Sequence, residues 1–382
     1  MATALNVNPA MIKWAREDAG YTLEELPGYL QDAEKWENGE ETPSWSDLRN
    51  LAKKYKRPSF FYFLKEPPQV EDDFIEFRSD DKIEEFSPQL RLEIRKAKHR
   101  RNAYLRIYDE MGIQIPNFSN NVNYEKNPIK LAKHIRNYLN VDLELQRKWI
   151  FNENGNKNYN HNSFLNHWKE ICFDLGILVF ETGSISENEF SGCSIYYEYC
   201  PIIILNGKNY PNRRIFTLMH ELAHLTQGIS AICDVDKYNK KEAFCNKVAA
   251  EILIPSNSLD EIDLFYKNGN LKLGELSNIY GVSKQTVVYK LNSCNKIDDK
   301  LKNKLITKIE ESNNNKRKKD IERKKRTEPR IKTITTKNKQ EGSSFTKLII
   351  EAYDNKIITA TQAMRYLDTS LDQIKEIELA LR

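Results

Sequence analysis

His220, Glu221 and His224 have the types and spacing of a hydrolytic metal centre. They read HExxH. On a helix, positions i and i+4 lie one above the other on the same face, so two imidazoles at that spacing can hold one metal ion. The carboxylate beside them can take a proton from a water bound to that metal. The surroundings predict suitable elements. Residues 202–205 (IIIL) form a short apolar strand, 206–212 a turn-rich link, and 214–219 a helical lead-in to the motif.

Zinc, the expected single ion, needs a third protein ligand and an open position. A long downstream pattern with Gly at 227 and His at 230 is excluded, because the chain has Gln227 and Ser230. The segment 242–253 predicts a helix stopping before Pro255, with Glu242 and Asn246 one turn apart on one face. Glu242 is the preferred third ligand. Asn246 would then hold a ligating His by its other ring nitrogen. Glu251 is the rival, nine residues further on and on a different face.

Residues 214–225 (RIFTLMHELAHL) and 242–255 (EAFCNKVAAEILIP) together resemble the ImmA/IrrE family of metallopeptidases. Cys245 and Val248 depart from that family's usual Ala and Phe, and both keep an apolar character. The resemblance implies an α+β, mostly helical chain with a gluzincin-like catalytic domain. In it a small antiparallel sheet precedes the HExxH helix, and a second helix carries the Glu. It also implies a cytosolic endopeptidase acting on a protein substrate such as a repressor or other regulator of a phage, mobile element or stress response. The alternative is a DNA- or protein-binding regulator with a structural or vestigial zinc site.

The chemistry assigns Glu221 as the proton acceptor and donor. A second electrophile for the oxyanion is expected, for which Tyr196, Tyr197 and Tyr210 are candidates. Each also reads as an ordinary strand or loop tyrosine. The strand ending at Leu205 is a candidate edge for substrate pairing. Asn206 stands where the family has an Asn, and reads equally well as a turn residue.

Around this domain, expected at 151–258, the chain divides further. Residues 1–68 resemble an Xre-type helix-turn-helix, with helices over 9–19 and 45–55 and a capping-box pattern at Thr22 to Glu25. The stretch before Trp36 is about one helical turn short of that pattern. Pro27 stands inside the positioning helix, and 29–35 (YLQDAEK) carries two acids where phosphates would approach. The expectation is a degenerate domain that has lost base readout. Residues 69–150 combine an acidic loop, with a family-like Phe77-Arg78-Ser79, and connecting helices; Ser87-Pro88 starts a long basic one. A helix-turn-helix-like packing element follows at 259–312, a basic linker at 313–342 and a C-terminal helical module at 343–382.

The net charge is only +4 over 382 residues, so any contact with nucleic acid must be local, through the N-terminal domain or the linker. The sequence predicts no membrane span and no secretory signal. The six cysteines, at 172, 193, 200, 233, 245 and 294, form no CxxC pair and read as free thiols of a reducing cytoplasm. Cys193 and Cys200 could face each other across a hairpin.

Overall fold

The computed structural model describes residues 6–67, 86–151, 155, 157, 159–233, 240–265, 270–325 and 343–381. The expected acidic loop with Phe77-Arg78-Ser79, and the linker from 326 to 342, lie outside them. The chain forms two compact units, residues 1–98 and 99–382.

The first unit holds α1 (Pro9–Asp18), α2 (Ala33–Asn38) and α3 (Trp45–Tyr55). Met11, Ile12, Ala15, Trp36, Leu48 and Leu51 form its core, closed by Phe61 and Tyr62 of the 3-10 turn Ser59–Phe63. Glu25 accepts a hydrogen bond from the Thr22 amide at 2.9 Å, half of the expected capping box, yet no helix follows. Pro27 supplies no amide for the next turn. The chain instead makes a three-residue turn, Gly28–Leu30, before the six-residue α2. α2 ends at Gly39, whose φ of 75° is the left-handed cap that glycine adopts without strain. Its Glu37 is held by Arg16 through two hydrogen bonds of 2.8 and 2.9 Å, so one acid of this helix is committed to the core.

α4 (Pro88–Glu110) contains the division between the units. As the sequence predicts, Ser87 caps it, Oγ accepting from the Leu90 amide at 3.2 Å. The second unit continues with α5 (Pro128–Tyr138), α6 (Leu143–Lys148) and α7 (His161–Asp174). Then come β1 (Leu178–Thr182), β2 (Gly192–Ile195), β3 (Ile202–Asn206), α8 (Pro211–Thr226), β4 (Ala231–Cys233) and α9 (Lys240–Leu253). It closes with α10 (Leu273–Tyr280), α11 (Lys284–Ser293), α12 (Asp299–Lys325), α13 (Ser343–Asp354), α14 (Ala360–Tyr366) and α15 (Leu371–Leu381). The chain is mostly helical α+β, as expected.

The sheet has the order β1-β3-β2-β4. Expected as antiparallel, it is mixed: β2 pairs antiparallel with β3 and β4, while β1 runs parallel to β3. The hairpin β2–β3 inserts β3 between β1 and β2. β3 is therefore not an edge strand, which corrects the expectation that substrate pairs along it. Its run of Ile and Leu is buried throughout, as suits a central strand. One core runs from Phe118 to Ile297, and both the sheet and the helices α5 to α11 contribute to it.

A buried ion cluster ties α8 to this sheet. Glu181 of β1 accepts hydrogen bonds from Lys169 of α7 at 3.0 Å and from Arg214 of α8. All three residues are less than 10% exposed. Removing the shared carboxylate would leave two buried cations. Glu181→Ala is therefore expected to destabilise the protein by about 3–5 kcal/mol, measured by urea unfolding. A loss below about 1 kcal/mol would show the cluster to be solvated.

Candidate metal centre

α8 starts with Pro211 at its first turn, where the missing amide costs nothing. Ile215, Leu218, Met219, Leu222 and Leu225 recur at helical spacing and are buried against the sheet and neighbouring helices. This core places His220 and His224, one turn apart, in the interior at 5% and 3% exposure, with Glu221 fully buried between them.

Glu242, in the first turn of α9, joins the two histidines. Its Oε2 lies 2.9 Å from His220 Nε2 and its Oε1 3.4 Å from His224 Nε2. The two Nε2 atoms stand 3.1 Å apart. Among the described residues, His220, His224 and Glu242 converge with all ligand atoms within 4.8 Å of one another. Two nitrogens bound tetrahedrally at about 2.0–2.1 Å would be about 3.3 Å apart, close to the separation seen. Between themselves the two imidazoles can share only one proton across that gap. A cation satisfies both nitrogens and the carboxylate together, so the donor set fits a zinc-type ion. The α9 N-terminus also favours a carboxylate at 242.

The other ring nitrogens are held by α9 as well. Asn246 Oδ1 lies 2.9 Å from His220 Nδ1, where the sequence reading puts it. Cys245 Sγ lies 3.7 Å from His224 Nδ1, a contact the sequence reading missed by treating Cys245 as apolar filler. The signal was there: 242, 245 and 246 are i, i+3 and i+4 of one helix, hence on one face. Such outer partners fix the tautomer and orientation of ligating imidazoles. Burial pushes the Cys245 thiol well above its ordinary pKa, so it stays protonated.

Glu251, the rival ligand, is elsewhere. It pairs with Lys290 of α11 and accepts from the Ser256 amide and hydroxyl at 2.9 and 2.7 Å. Burial raises its carboxyl pKa, but the bonds from Lys290 and Ser256 outweigh this and leave it below the ordinary value. The end of α9 is further held by Arg136, donating to the Ile252 carbonyl at 2.6 Å, and by the fully buried Gln146, donating to the Leu253 carbonyl at 3.1 Å. These side chains serve carbonyls that a helix terminus leaves without partners.

Burial opposes protonation of His220, but the bond to Glu242 and the charges of Glu221 and Glu242 prevail, raising its pKa above 6.5. Burial also acts to raise the Glu242 carboxyl pKa, but its two histidine neighbours hold it far below the ordinary range. In the metal-free protein the His220 contribution to stability is complete below pH 6.5 and lost as pH rises through its raised value. That of Glu242 is present above pH 4.5 and lost on strong acidification. A metal must displace the His220 proton. Its affinity is therefore expected to weaken as pH falls, beginning above pH 6.5, by up to about tenfold per pH unit. Titration calorimetry with zinc between pH 6 and 8.5 checks this; a flat profile would contradict it.

An open groove of about 1810 Å³ passes over the centre, with His220, Glu242 and Asn246 on its floor and residues of α11 in its wall. Of the three tyrosines singled out, Tyr210 lines this groove and is 53% exposed. Tyr196 packs against Phe118, and Tyr197 stacks on the Arg101 guanidinium. Asn206 is fully buried: its amide donates to the Ser186 and Phe190 carbonyls at 3.1 and 2.8 Å, and Oδ1 accepts from the Lys208 amide. It is the last residue of β3, and its side chain braces the turn that follows. Cys193 and Cys200 are free thiols.

The family model described as Peptidase_M78, an IrrE N-terminal-like domain, matches residues 172–292. That stretch runs from the end of α7 to α11 and contains His220, Glu221, His224 and Glu242. The segment is a domain of the ImmA/IrrE family, of metallopeptidase type. No curated protein and no solved structure matches the chain.

Proposed function

We propose that this protein is a zinc-dependent endopeptidase in which His220, His224 and Glu242 hold the metal and Glu221 is the acid–base residue. The observation carrying this reading is the convergence of His220, His224 and Glu242, with His220 and Glu242 on the floor of an open groove and the buried carboxylate of Glu221 on the same helix turn. Zinc would supply Lewis acidity and an acidified water when bound. Glu221 accepts the proton of the attacking water at its carboxylate and delivers it to the leaving amine nitrogen. Asn246 and Cys245 keep both imidazoles turned toward the metal. The groove exceeds the roughly 300–1,000 Å³ usual for small-molecule sites, which suits a polypeptide.

The family resemblance supports a regulatory protein, such as a repressor, as the substrate. Cys172, Cys193, Cys200, Cys245 and Cys294 outside any disulfide, and the lack, among the described residues, of any helix long and apolar enough to cross a membrane, are compatible with a cytoplasmic setting. A purely structural zinc would be closed by four protein ligands and have no use for Glu221. The test compares newly formed protein N-termini in native cytosol treated with the unaltered protein or with Glu221→Gln, at matched zinc content. N-termini made only by the unaltered protein support the peptidase. Their absence at full zinc occupancy favours a binding protein.

A further inference from the structure

Gly192 opens β2, which packs directly on α8, and it lies opposite the turn of α8 that carries Glu221. A Cβ at 192 would stand 2.4 Å from Thr217 Cγ2, 3.1 Å from Glu221 Oε1 and 3.3 Å from the Ile204 carbonyl oxygen. Thr217 and Glu221 are i and i+4, so the face of α8 turned to the strand bears the acid–base carboxylate. The next residue on the same side of β2 is Ser194, also small and fully buried. The strand therefore presents its least bulky surface where the helix and its carboxylate come closest. The backbone at 192 needs no glycine for conformational reasons, since its φ is not in the left-handed region. What the position requires is the space.

We propose that Gly192 is a positioning residue for Glu221: its missing side chain sets how deeply α8 seats on the sheet and where the carboxylate lies relative to the metal. This rests on the peptidase reading above. A proton-transfer group must sit within about 2.6–3.2 Å of its partner, and displacements of the order of 1 Å can cost about a hundredfold in rate. A methyl group at 192 forces the carboxylate or the helix to move by a few tenths of an ångström or more.

Gly192→Ala alone confounds two effects, because the Thr217 clash displaces the helix as a whole. Thr217→Ser removes the clashing methyl and leaves the Glu221 contact. The experiment loads Thr217→Ser and Gly192→Ala/Thr217→Ser with Co²⁺ and records visible spectra and Co²⁺ affinity. The unaltered protein and Glu221→Gln serve as references, and thermal melting checks folding. The expected result is Co²⁺ affinity within about threefold of Thr217→Ser, with a spectrum shifted toward that of Glu221→Gln. A spectrum identical to Thr217→Ser, or a loss of affinity in step with melting temperature, overturns the assignment. Failure of the unaltered protein to bind Co²⁺ overturns the peptidase reading, and this assignment falls with it; a Glu221→Gln spectrum equal to the unaltered one overturns this assignment alone.

Discussion

Glu221→Gln is expected to lower turnover by about 10²–10⁴-fold while leaving zinc bound, the range that a positioned acid–base group supplies. Glu221 is fully buried in the middle of α8, so an amide of the same shape keeps the packing but cannot take a proton. The ligand candidates His220, His224 and Glu242 are untouched, and so are their partners Asn246 and Cys245. Zinc content by elemental analysis and initial rates on the cleaved protein give the two halves of the result. His220→Ala, by contrast, should lose zinc and activity together. Equal rates for Glu221→Gln and the unaltered protein would remove Glu221 from the chemistry.

The second large effect separates two glutamates of one helix. Glu242→Ala removes a donor that touches both histidines, at 2.9 and 3.4 Å. Loss of an outer partner alone weakens metal binding by about 10–100-fold. Loss of this inner ligand should exceed that range, with little change in unfolding free energy of the metal-free protein beyond its ion pair with His220. Glu251→Ala does the reverse. It leaves Lys290, whose side chain is 6% exposed, without its carboxylate. Breaking a buried pair in this way costs about 3–5 kcal/mol. Zinc affinity of whatever remains folded should stay near that of the unaltered protein. Zinc calorimetry and urea unfolding of both variants would show the crossover. If Glu251→Ala strips zinc while Glu242→Ala does not, the ligand assignment passes to Glu251.

The metal cluster was legible because local rules determine it. HExxH needs only a helix, and the choice of Glu242 with Asn246 needs only one more helix with the right face. The strand 202–205 and the helix 45–55 were likewise written in short-range pattern. What sequence could not reach depended on register and on partners far along the chain. Which neighbour β3 takes is decided by how the β2–β3 hairpin docks on β1, so its central position and the mixed sheet were not foreseen. Glu251 reads as a spare carboxylate until Lys290, 39 residues on, is seen beside it. The capping-box pattern at Thr22 was a true local signal, overridden two residues after Glu25 by Pro27. Cys245 looked like filler because thiols are usually buried as such. Only the approach of α8 to α9 turns it into a partner of His224.

X-ray absorption at the zinc edge of the purified protein reads the ligand shell itself. One zinc per chain is expected, with two imidazole nitrogens and oxygen donors only, and the imidazole signal should be lost in His220→Ala. A zinc–sulfur distance near 2.3 Å, which would place a thiolate among the ligands, or a shell closed by four protein side chains, would contradict a catalytic centre at His220, His224 and Glu242.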